Sequence, residues 1–394
     1  MKVVLFTHPT FLSSSSMPRF AKMIAEHLSD NNICYEVWTP QEYTRVMFPV
    51  TKFAKWLGYI DQYLIFPLII RWRLLNCHKE TLFVFCDQAL GPWVPLVANR
   101  PHVIHCHDLM ALKSSLNLIP ENPTTKTGKL YQRFIRRGFQ HGKNFISISK
   151  KTQEDLHQYG DVTPEISEVV YNGLNYPFCQ QERKAAYKLI AELDLVDSDT
   201  GCLLHIGGGQ WYKNTAGVIK IYDAYCKHEI APKPLILISP EPKGEVLKLV
   251  NNLPACASIK FVQGVDVEII EALYSYADVF LFPSISEGFG WPIIEAQACG
   301  CPVITTNAAP MNEIGGPAAT YLDICEKNSQ KEWVQKAVDC LISLLKESEF
   351  EKSNRIKTSI EWASEFNSMK ALNSYLDIYN KVLNNYNTLI GVED

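Results

Sequence analysis

The chain has 394 residues, of which 47% are hydrophobic and 20% charged, and its formal net charge is -4. This length favours two domains, since one domain usually holds about 100–200 residues, and the composition is typical of a globular protein. The acidic balance gives no support to nucleic acid as a partner. The sequence has no C-x-x-C pair and no apolar run of membrane-spanning length, and its first apolar run is too short for the core of a signal peptide. We therefore expect reduced thiols and a cytoplasmic protein.

Short apolar runs alternate with longer amphipathic segments along the first half of the chain, which is typical of βαβ units on a parallel sheet. Helical spacing of the apolar residues predicts helices at 17–28 and 131–140. The predicted strands are 3–7, Cys34–Trp38, 82–86, 102–105, Asn144–Ser147 and 168–171.

One segment of the first half, from Arg45 to Arg73, mixes aromatic, aliphatic and basic residues at helical spacing. This composition favours a pair of interfacial helices that lies on a membrane surface. A packed helical insertion would give a similar pattern, and both interpretations stay open. In the first, the protein is peripheral at the cytoplasmic face of the inner membrane.

A second series of buried-type strands predicts a second domain. Its strands are Leu203–Ile206, Leu235–Ile238, Ile259–Val262, Val279–Phe282 and 303–305. Two such series are typical of an α/β protein with two doubly wound domains. We place the boundary at the start of the polar stretch 179–200, which gives domains at 1–178 and 179–366. The remainder, 367–394, is predicted to be a helix that packs back on the N-terminal domain.

The segment after the fourth strand of the second series carries a carboxylate pair and two glycines. Gly288 and Gly290 allow a ligand to approach the backbone closely, and Pro292 suits the first turn of a helix whose N-terminus attracts anions. Seven residues separate Glu287 from Glu295, or about 12 Å if the span were helical. Glycosidase acid/base pairs are closer, at about 5–9.5 Å. The pair therefore suits two parts of one elongated ligand, although a carboxylate at a helix start is also a common dipole partner.

Three consecutive glycines, Gly207 to Gly209, follow the first strand of the second series and precede Lys213. Glycines permit close backbone contact with phosphate, and a lysine neutralises its charge. The loop lacks the G-K-[ST] ending of a Walker A motif and the G-x-G-x-x-G fingerprint, which disfavours an NAD-dependent dehydrogenase. A flexible turn with a surface lysine is the alternative.

The cluster His105-Cys106-His107-Asp108 ends an apolar strand of the first half. Histidine and aspartate together bind metal ions in some proteins. A hydrogen-bonded strand end is the more common case, and the sequence favours it here.

The stretch from Pro283 to Ile304 resembles the signature of the family 4 retaining glycosyltransferases of GT-B fold. The resemblance rests on Glu287-Gly288-Phe289-Gly290, Glu295-Ala296, Gly300 and Pro302-Val303-Ile304 together. It implies two Rossmann-like domains that face each other across a cleft, with the acceptor in the N-terminal domain and a nucleotide sugar in the C-terminal domain.

The same resemblance assigns roles to individual residues. Glu287 and His107 would act at the donor sugar as catalytic residues, and no residue would bind a metal. The implied donor-binding residues are Gly207, Gly208, Gly209, Gln210, Lys213, Asn214, Val262, Gly288, Phe289, Gly290, Trp291 and Glu295. Glu295 would meet the ribose, and the segment around Val262 resembles the base-binding region, although an ordinary strand end fits it equally.

This sequence departs from the family pattern at two places. Ser14, Ser15 and Ser16, assigned to the acceptor side, replace the usual Gly-rich loop after the first strand. The arginine that many members carry after the first glycines is missing. Lys213 would then carry the phosphate charge alone or with a basic residue from elsewhere.

The resemblance implies a retaining transferase that moves a hexosyl group, with glucose as our choice, from UDP-glucose to a glycan or lipid-linked acceptor in bacterial polysaccharide synthesis. The acceptor is expected to attack the face that the diphosphate leaves, with electrostatic stabilisation of the leaving group. We expect neither cofactor nor metal, since no D-x-D motif stands where a metal-dependent transferase requires one. The alternative is a degenerate nucleotide-sugar-binding scaffold protein without activity. The missing arginine and the altered serine loop favour it, whereas the presence of both glutamates and Lys213 favours an enzyme.

Overall fold

The structure is a computed structural model that describes residues 1–9, 11, 16–47, 54–196, 199–325 and 329–391. The chain divides into two compact units. Unit 1 comprises Met1–Tyr171 and Met369–Asp394, and unit 2 comprises Asn172–Ser368. Each unit contains a six-stranded parallel sheet with flanking helices. The predicted α/β class with two doubly wound halves is therefore confirmed.

The sheet of unit 1 has the strand order β2-β1-β3-β4-β5-β6. Its strands are β1 (Lys2–Phe6), β2 (Cys34–Trp38), β3 (Leu82–Phe85), β4 (His102–Cys106), β5 (Asn144–Ser147) and β6 (Ile166–Val169). The first seven helices are α1 (Ser16–Asp30), α2 (Thr44–Met47), α3 (Ala54–Ile60), α4 (Phe66–Leu74), α5 (Met110–Ser115), α6 (Lys126–Phe139) and α7 (Lys150–Tyr159). A 3₁₀ helix spans Gln88–Leu96.

The apolar runs of unit 1 became strands because helices cover both faces of a parallel sheet, so that the strands need no polar side. β1, β3 and β4 are buried over almost their whole length. The helix α1 shows the complementary pattern, since Phe20, Ile24 and Leu28 recur at four-residue intervals and face the core.

The segment 45–73, expected to be a helix pair, contains the single-turn helix α2 and one long helix instead. Residues 48–53 lie outside the described residues. From Ala54 to Leu74 the helix is continuous, because a π turn at Asp61–Ile65 joins α3 to α4 and both junction residues, Ile60 and Phe66, have right-handed helical dihedrals.

The sheet of unit 2 has the order β12-β11-β10-β7-β8-β9. Its strands are β7 (Leu203–Ile206), β8 (Leu235–Ile238), β9 (Ile259–Val262), β10 (Val279–Phe282), β11 (Val303–Thr306) and β12 (Thr320–Leu322). Its helices are α8 (Arg183–Ala191), α9 (Thr215–His228), α10 (Gly244–Asn251), α11 (Val267–Tyr276), α12 (Trp291–Ala298), α13 (Met311–Gly315), α14 (Gln330–Leu345) and α15 (Glu349–Ser364). Two short 3₁₀ turns span Trp211–Lys213 and Gly316–Ala318.

The last helix, α16 (Ser368–Ile390), returns to unit 1 and packs in the same core as β1 and α1. Tyr375 and Tyr379 are among its buried residues. The hydroxyl of Tyr379 lies 2.7 Å from Nε2 of His105, so a hydrogen bond joins α16 to the strand β4. Burial holds the pKa of His105 well below its ordinary value, which keeps this core histidine neutral.

Candidate active site

Two loops meet at the carboxyl edge of the unit 2 sheet. The chain runs outward through β7, β8 and β9, then returns so that β10 pairs with the other side of β7. The gap between β7 and β10 is therefore the topological switch point, where open α/β sheets bind ligands. The Ile285 amide donates to the Tyr212 carbonyl at 2.7 Å, and Nδ2 of Asn214 donates to the Pro283 carbonyl at 3.0 Å.

An ion pair connects the two loops at this point. Nζ of Lys213 lies 2.8 Å from Oε1 of Glu287, and the two side chains are only 13% and 8% exposed. The ammonium group also lies 4.5 Å from the centre of the Phe282 ring, within the range of a cation–π contact. The structure thus brings together the residues that the sequence assigned to the phosphate and to the sugar.

The glycine loop offers a phosphate fewer amides than its sequence indicates. The Gly207 amide already donates to the Ile238 carbonyl at 3.0 Å, so it extends the sheet and is not available to a ligand. A Cβ at Gly207 would lie 2.9 Å from Nε2 of His205, which explains the glycine. Within the described residues, the Gly208 and Gly209 amides have no backbone acceptor. Gly209 has a φ of +79°, which favours glycine.

Asn214 shapes the turn that presents Lys213. It has left-handed dihedrals and caps α9, where its Oδ1 accepts from the Gly217 amide at 3.2 Å. Because its Nδ2 already donates to Pro283, both ends of the side-chain amide are engaged within the protein. Its assignment to the donor stays a prediction, as does that of the exposed Gln210.

His205 is a buried residue to which sequence reasoning gave no role. Its Nδ1 lies 2.8 Å from the Leu281 carbonyl and must donate, so β7 and β10 are joined by this ring. Nε2 then accepts from the Thr215 hydroxyl at 3.3 Å. Burial, opposed by the hydrogen bond to Leu281 and assisted by the charge of Lys213, lowers the pKa of His205 to about 4, so the ring is neutral. Its position in β7, two residues before Gly207, was the available signal.

Glu295 lies on α12 and accepts a hydrogen bond at Oε2 from the Tyr274 hydroxyl, 3.1 Å away. Burial raises the pKa of Glu295 to about 7, against the opposing effects of Tyr274 and Lys213. The carboxyl group is therefore poised between its two protonation states near neutral pH. Tyr274 is fully buried and holds Glu295 in position through this bond.

The aromatic residues before α12 anchor the loop. Phe289 is 3% exposed and contacts the rings of Trp291 and Phe366 at 5.6 and 6.0 Å. Nε1 of Trp291 donates to the Gly173 carbonyl at 3.1 Å. Gly290 has a φ of +104° and precedes the helix directly. The predicted donor contacts of these residues, and of Gly288, stay predictions.

Val262 ends β9, which β8 separates from β7. Its carbonyl accepts from the Ser239 amide at 3.0 Å. The side chain is half-buried at the outer strand of the sheet. This position is compatible both with a base contact and with an ordinary strand end.

In unit 1, His107 follows β4 and is held rigidly. Its Nε2 donates to the Cys86 carbonyl at 2.9 Å, and its ring contacts Phe20 edge-on at 4.5 Å. The side-chain amide of Gln88 accepts from the His107 amide and donates to the Asp108 carbonyl. This agrees with a hydrogen-bonded strand end. Within the described residues, no group of three or more His, Cys, Asp or Glu side chains is arranged to hold a metal ion.

A second pair at the same sheet edge, His8 with Asp87, was missed. Nε2 of His8 lies 2.7 Å from Oδ2 of Asp87, and the side chains are 17% and 11% exposed. Burial alone would raise the pKa of Asp87, but the hydrogen bond from His8 and the nearby His107 hold it below its ordinary value. The available signal was that each residue lies two positions after a strand end, His8 after β1 and Asp87 after β3. Their pairing depends on the adjacency of these two strands. Of the acceptor residues, Ser14 and Ser15 lie outside the described residues, and Ser16 begins α1.

Comparisons with known proteins match both halves of the chain to sugar transferases. The family Glycosyltransferase Family 4 matches residues 17–176, and Glycosyl transferases group 1 matches residues 194–359. Among curated relatives, O-antigen chain mannosyltransferase B of Escherichia coli is 34% identical over 31% of this chain and 33% of its own length. O-antigen chain mannosyltransferase RfbU of Salmonella typhimurium is 25% identical over 61% of this chain and 60% of its own length. The chain thus spans a third to three fifths of these relatives.

Solved structures share the fold over nearly the whole chain. Anabaena HepE in complex with UDP and glucose superposes with a TM-score of 0.66 at 18% identity, covering 97% of this chain and 100% of the other. Sucrose-phosphate synthase from Thermosynechococcus elongatus gives a TM-score of 0.69 at 15% identity, over 97% and 99% of the two chains. At such identities the likeness concerns the fold, which is the predicted GT-B fold.

Proposed function

The chain belongs to the group 1 and family 4 glycosyltransferases of GT-B fold, and we propose that it transfers a hexosyl group from a nucleotide diphosphate sugar to a glycan or lipid-linked acceptor. One observation carries the proposal. The ion pair of Lys213 with Glu287 holds an ammonium group, suited to a phosphate, and a carboxylate 2.8 Å apart at the switch point of the sheet. The names of the O-antigen mannosyltransferases among the relatives support a role in polysaccharide synthesis.

In the proposed reaction, the donor diphosphate binds Nζ of Lys213 and the amides of Gly208 and Gly209. The bond between the anomeric carbon and the diphosphate oxygen breaks, and the acceptor oxygen bonds to that carbon from the same face. The acceptor proton passes to the leaving diphosphate, so the configuration is retained without a covalent intermediate. Positive groups at the leaving oxygen stabilise the charge that develops there, and Glu287 stabilises the positive character of the anomeric carbon.

The ribose is the proposed partner of Glu295. A carboxylate accepts hydrogen bonds from two adjacent hydroxyl groups, and Tyr274 fixes its orientation. The donor to test first is UDP-glucose, which the related Anabaena HepE binds in a solved structure. GDP-mannose is the necessary comparison, because two of the relatives are named mannosyltransferases.

Incubation with each nucleotide sugar, with and without short glycan acceptors, tests the transferase activity through the nucleotide released. We expect release from one donor and its loss in Lys213→Ala. The control is Lys357→Ala, which removes an exposed charge elsewhere in unit 2. Tight donor binding without release under any condition would support the scaffold alternative instead.

Peripheral membrane contact through the long helix is the second part of the proposal. Trp56, Leu64, Leu68 and Trp72 are 64%, 63%, 62% and 66% exposed and form a row along one side of 54–74. A strict four-residue spacing drifts around an α-helix of 3.6 residues per turn, and the wider π turn at Asp61–Ile65 corrects part of that drift. No helix in the described part of the chain is long and apolar enough to cross a membrane.

Co-sedimentation with anionic vesicles tests this contact. We expect binding that weakens with salt, because basic side chains of the same helix, such as the exposed Arg71 beside Trp72, attract an anionic surface and salt screens the attraction. Leu64→Asp with Leu68→Asp should abolish the binding, whereas Leu193→Asp, at an exposed leucine of unit 2, should not. Equal sedimentation of both variants would contradict membrane contact through this row.

A further inference from the structure

An aromatic groove lies beside the exposed row of the long helix, entirely within unit 1. It has a volume of about 850 Å³ and runs between the long helix and α6, within the range of about 300–1,000 Å³ that is typical of ligand sites. Trp56, Tyr59 and Tyr63 form one wall, and Leu130 and Phe134 belong to the other.

The rings of the groove hold it open as a preformed structure. The hydroxyls of Tyr63 and Tyr131 lie 2.7 Å apart, so each tyrosine satisfies the other where they meet. Tyr59 contacts the rings of Tyr63 and Tyr131 at 6.0 and 5.8 Å, and Phe134 contacts Tyr63 at 5.2 Å. Because the Tyr63 and Tyr131 hydroxyls are paired with each other, the aromatic wall offers a ligand an apolar surface.

The rim of the groove carries positive charges that no neighbouring carboxylate in the described part of the chain neutralises. Arg133 and Arg137 line the groove one helical turn apart on α6, and within the described residues neither has a carboxylate partner. The sequence of α6, KTGKLYQRFIRRGF, contains five basic residues and no acidic one, although the whole chain has a net charge of -4. The site therefore selects an anion attached to an apolar body.

Continuity with the exposed row identifies the source of that ligand. Trp56 belongs both to the groove wall and to the row, so the groove opens on the face that we propose to lie on the membrane. A molecule taken from the bilayer reaches the groove without passing through water. If the ligand came from solution instead, the neighbouring apolar row of Trp56, Leu64, Leu68 and Trp72 would stay exposed to water.

We propose that this groove binds one anionic phospholipid of the bilayer, with an acyl chain along the aromatic wall and the phosphate at Arg133 and Arg137. The inference rests on the membrane contact proposed above and adds a defined lipid site to it. An arginine guanidinium presents several donors in a plane and matches phosphate oxygens.

Photolabelling tests the site without donor sugar or turnover. The first probe is a dodecyl phosphate with a diazirine on its chain, used in solution, and the second is phosphatidylglycerol with a diazirine-bearing acyl chain in phosphatidylcholine vesicles. Mass spectrometry should locate both labels within 54–63 and 125–137. Arg133→Gln with Arg137→Gln should reduce labelling about tenfold or more, since two charges near the lipid surface are lost. The matched control is Lys346→Gln with Lys357→Gln, which removes two exposed charges from unit 2.

A second variant separates the groove from the row. Leu130 is 65% exposed, so Leu130→Glu is compatible with folding and should abolish groove labelling while vesicle co-sedimentation through the row persists. If the wild-type protein does not co-sediment with vesicles but is still labelled by dodecyl phosphate, the proposed membrane contact is wrong and the groove still binds an anionic amphiphile. Labels spread outside the groove, or equal labelling by a neutral dodecyl alcohol probe, would overturn the lipid site. Displacement by farnesyl phosphate at lower concentration than by dodecyl phosphate would overturn its assignment to a phospholipid.

Discussion

Replacing Glu295 by glutamine should stabilise the protein at alkaline pH and weaken nucleotide binding at the same time. Burial raises the pKa of Glu295 from its ordinary value of 4.5 to about 7 in the folded chain. Between pH 4.5 and pH 7, the folded protein therefore keeps the proton on Glu295, whereas the unfolded chain has already released it. The stability from this group is fully present below pH 4.5 and is lost as the pH rises toward 7.

The size of the effect follows from the two pKa values. Each tenfold change in proton affinity corresponds to about 1.4 kcal/mol, so the charged carboxylate costs the folded state about 3 kcal/mol above pH 7. Glutamine carries no charge at any pH. The difference in free energy of unfolding between Glu295→Gln and wild type should therefore shift by about 3 kcal/mol in favour of the variant between pH 4.5 and pH 8.

Urea denaturation at both pH values measures this shift, with Glu268→Gln as the control because Glu268 is exposed on the neighbouring helix α11. The affinity of wild type and of Glu295→Gln for UDP and GDP is measured by calorimetry at pH 8. Loss of a charged acceptor for the ribose should cost about 1.5–3 kcal/mol of binding free energy. At pH 7, wild type should release about half a proton per nucleotide bound, because binding requires the ionised carboxylate, and the variant should release none.

Two results would refute this reasoning. If the variant gains no stability between pH 4.5 and pH 8, the carboxylate is hydrated and its pKa is not raised. If the stability shift appears but nucleotide affinity is unchanged, Glu295 is a buried structural acid and the ribose assignment is wrong.

Three further predictions concern the same site. Glu287→Gln should lower kcat about 10²-fold or more with little change in nucleotide Kd, because the charge of Glu287 acts in the transition state. If Glu287→Gln keeps full turnover and Glu295→Gln loses it, the proposed sugar and ribose roles of the two residues are reversed. Tyr274→Phe removes a hydrogen bond to the ionised Glu295, so the pH below which nucleotide affinity falls should rise; an unchanged pH profile would exclude this positioning role. EDTA should leave donor binding by calorimetry unchanged, and a loss restored by Mg²⁺ would contradict charge neutralisation by Lys213 and backbone amides alone.

The strands of both sheets could be predicted because burial on two faces leaves a direct trace in the sequence. Runs such as Leu235–Ile238 are apolar throughout and end at turns, so their boundaries agree with the structure. β12 (Thr320–Leu322) was not predicted, because three residues at a sheet edge give no pattern. The segment 45–73 was expected to form a pair of helices, and the continuous helix 54–74 was not predicted. The π turn changes the helical period within it, so a single helical pattern does not extend along the whole segment.

The pairing of individual side chains depends on strand order, which the local sequence does not encode. His8 and Asp87 follow β1 and β3, and only the adjacency of these two strands makes them partners. The same holds for His205, whose bond to Leu281 requires β7 beside β10. Motif spacing predicted which loops form the candidate site, but it gave no information on which polar groups form hydrogen bonds within the protein.

The hydrogen bonds that the glycine loop makes within the protein change the assignment of its phosphate contacts. A loop of three glycines suggests three amides for a diphosphate, yet the first amide completes the sheet by donating to Ile238. The expected electrostatic contribution of the loop therefore rests on Gly208, Gly209 and above all on Lys213. Its charge helps to lower the pKa of His205 and opposes the burial that raises the pKa of Glu295. Lys213 pairs with Glu287, proposed for the sugar, and also acts on Glu295, proposed for the ribose. Its removal should therefore impair turnover and nucleotide affinity together. Neither glutamate variant alone should have both effects.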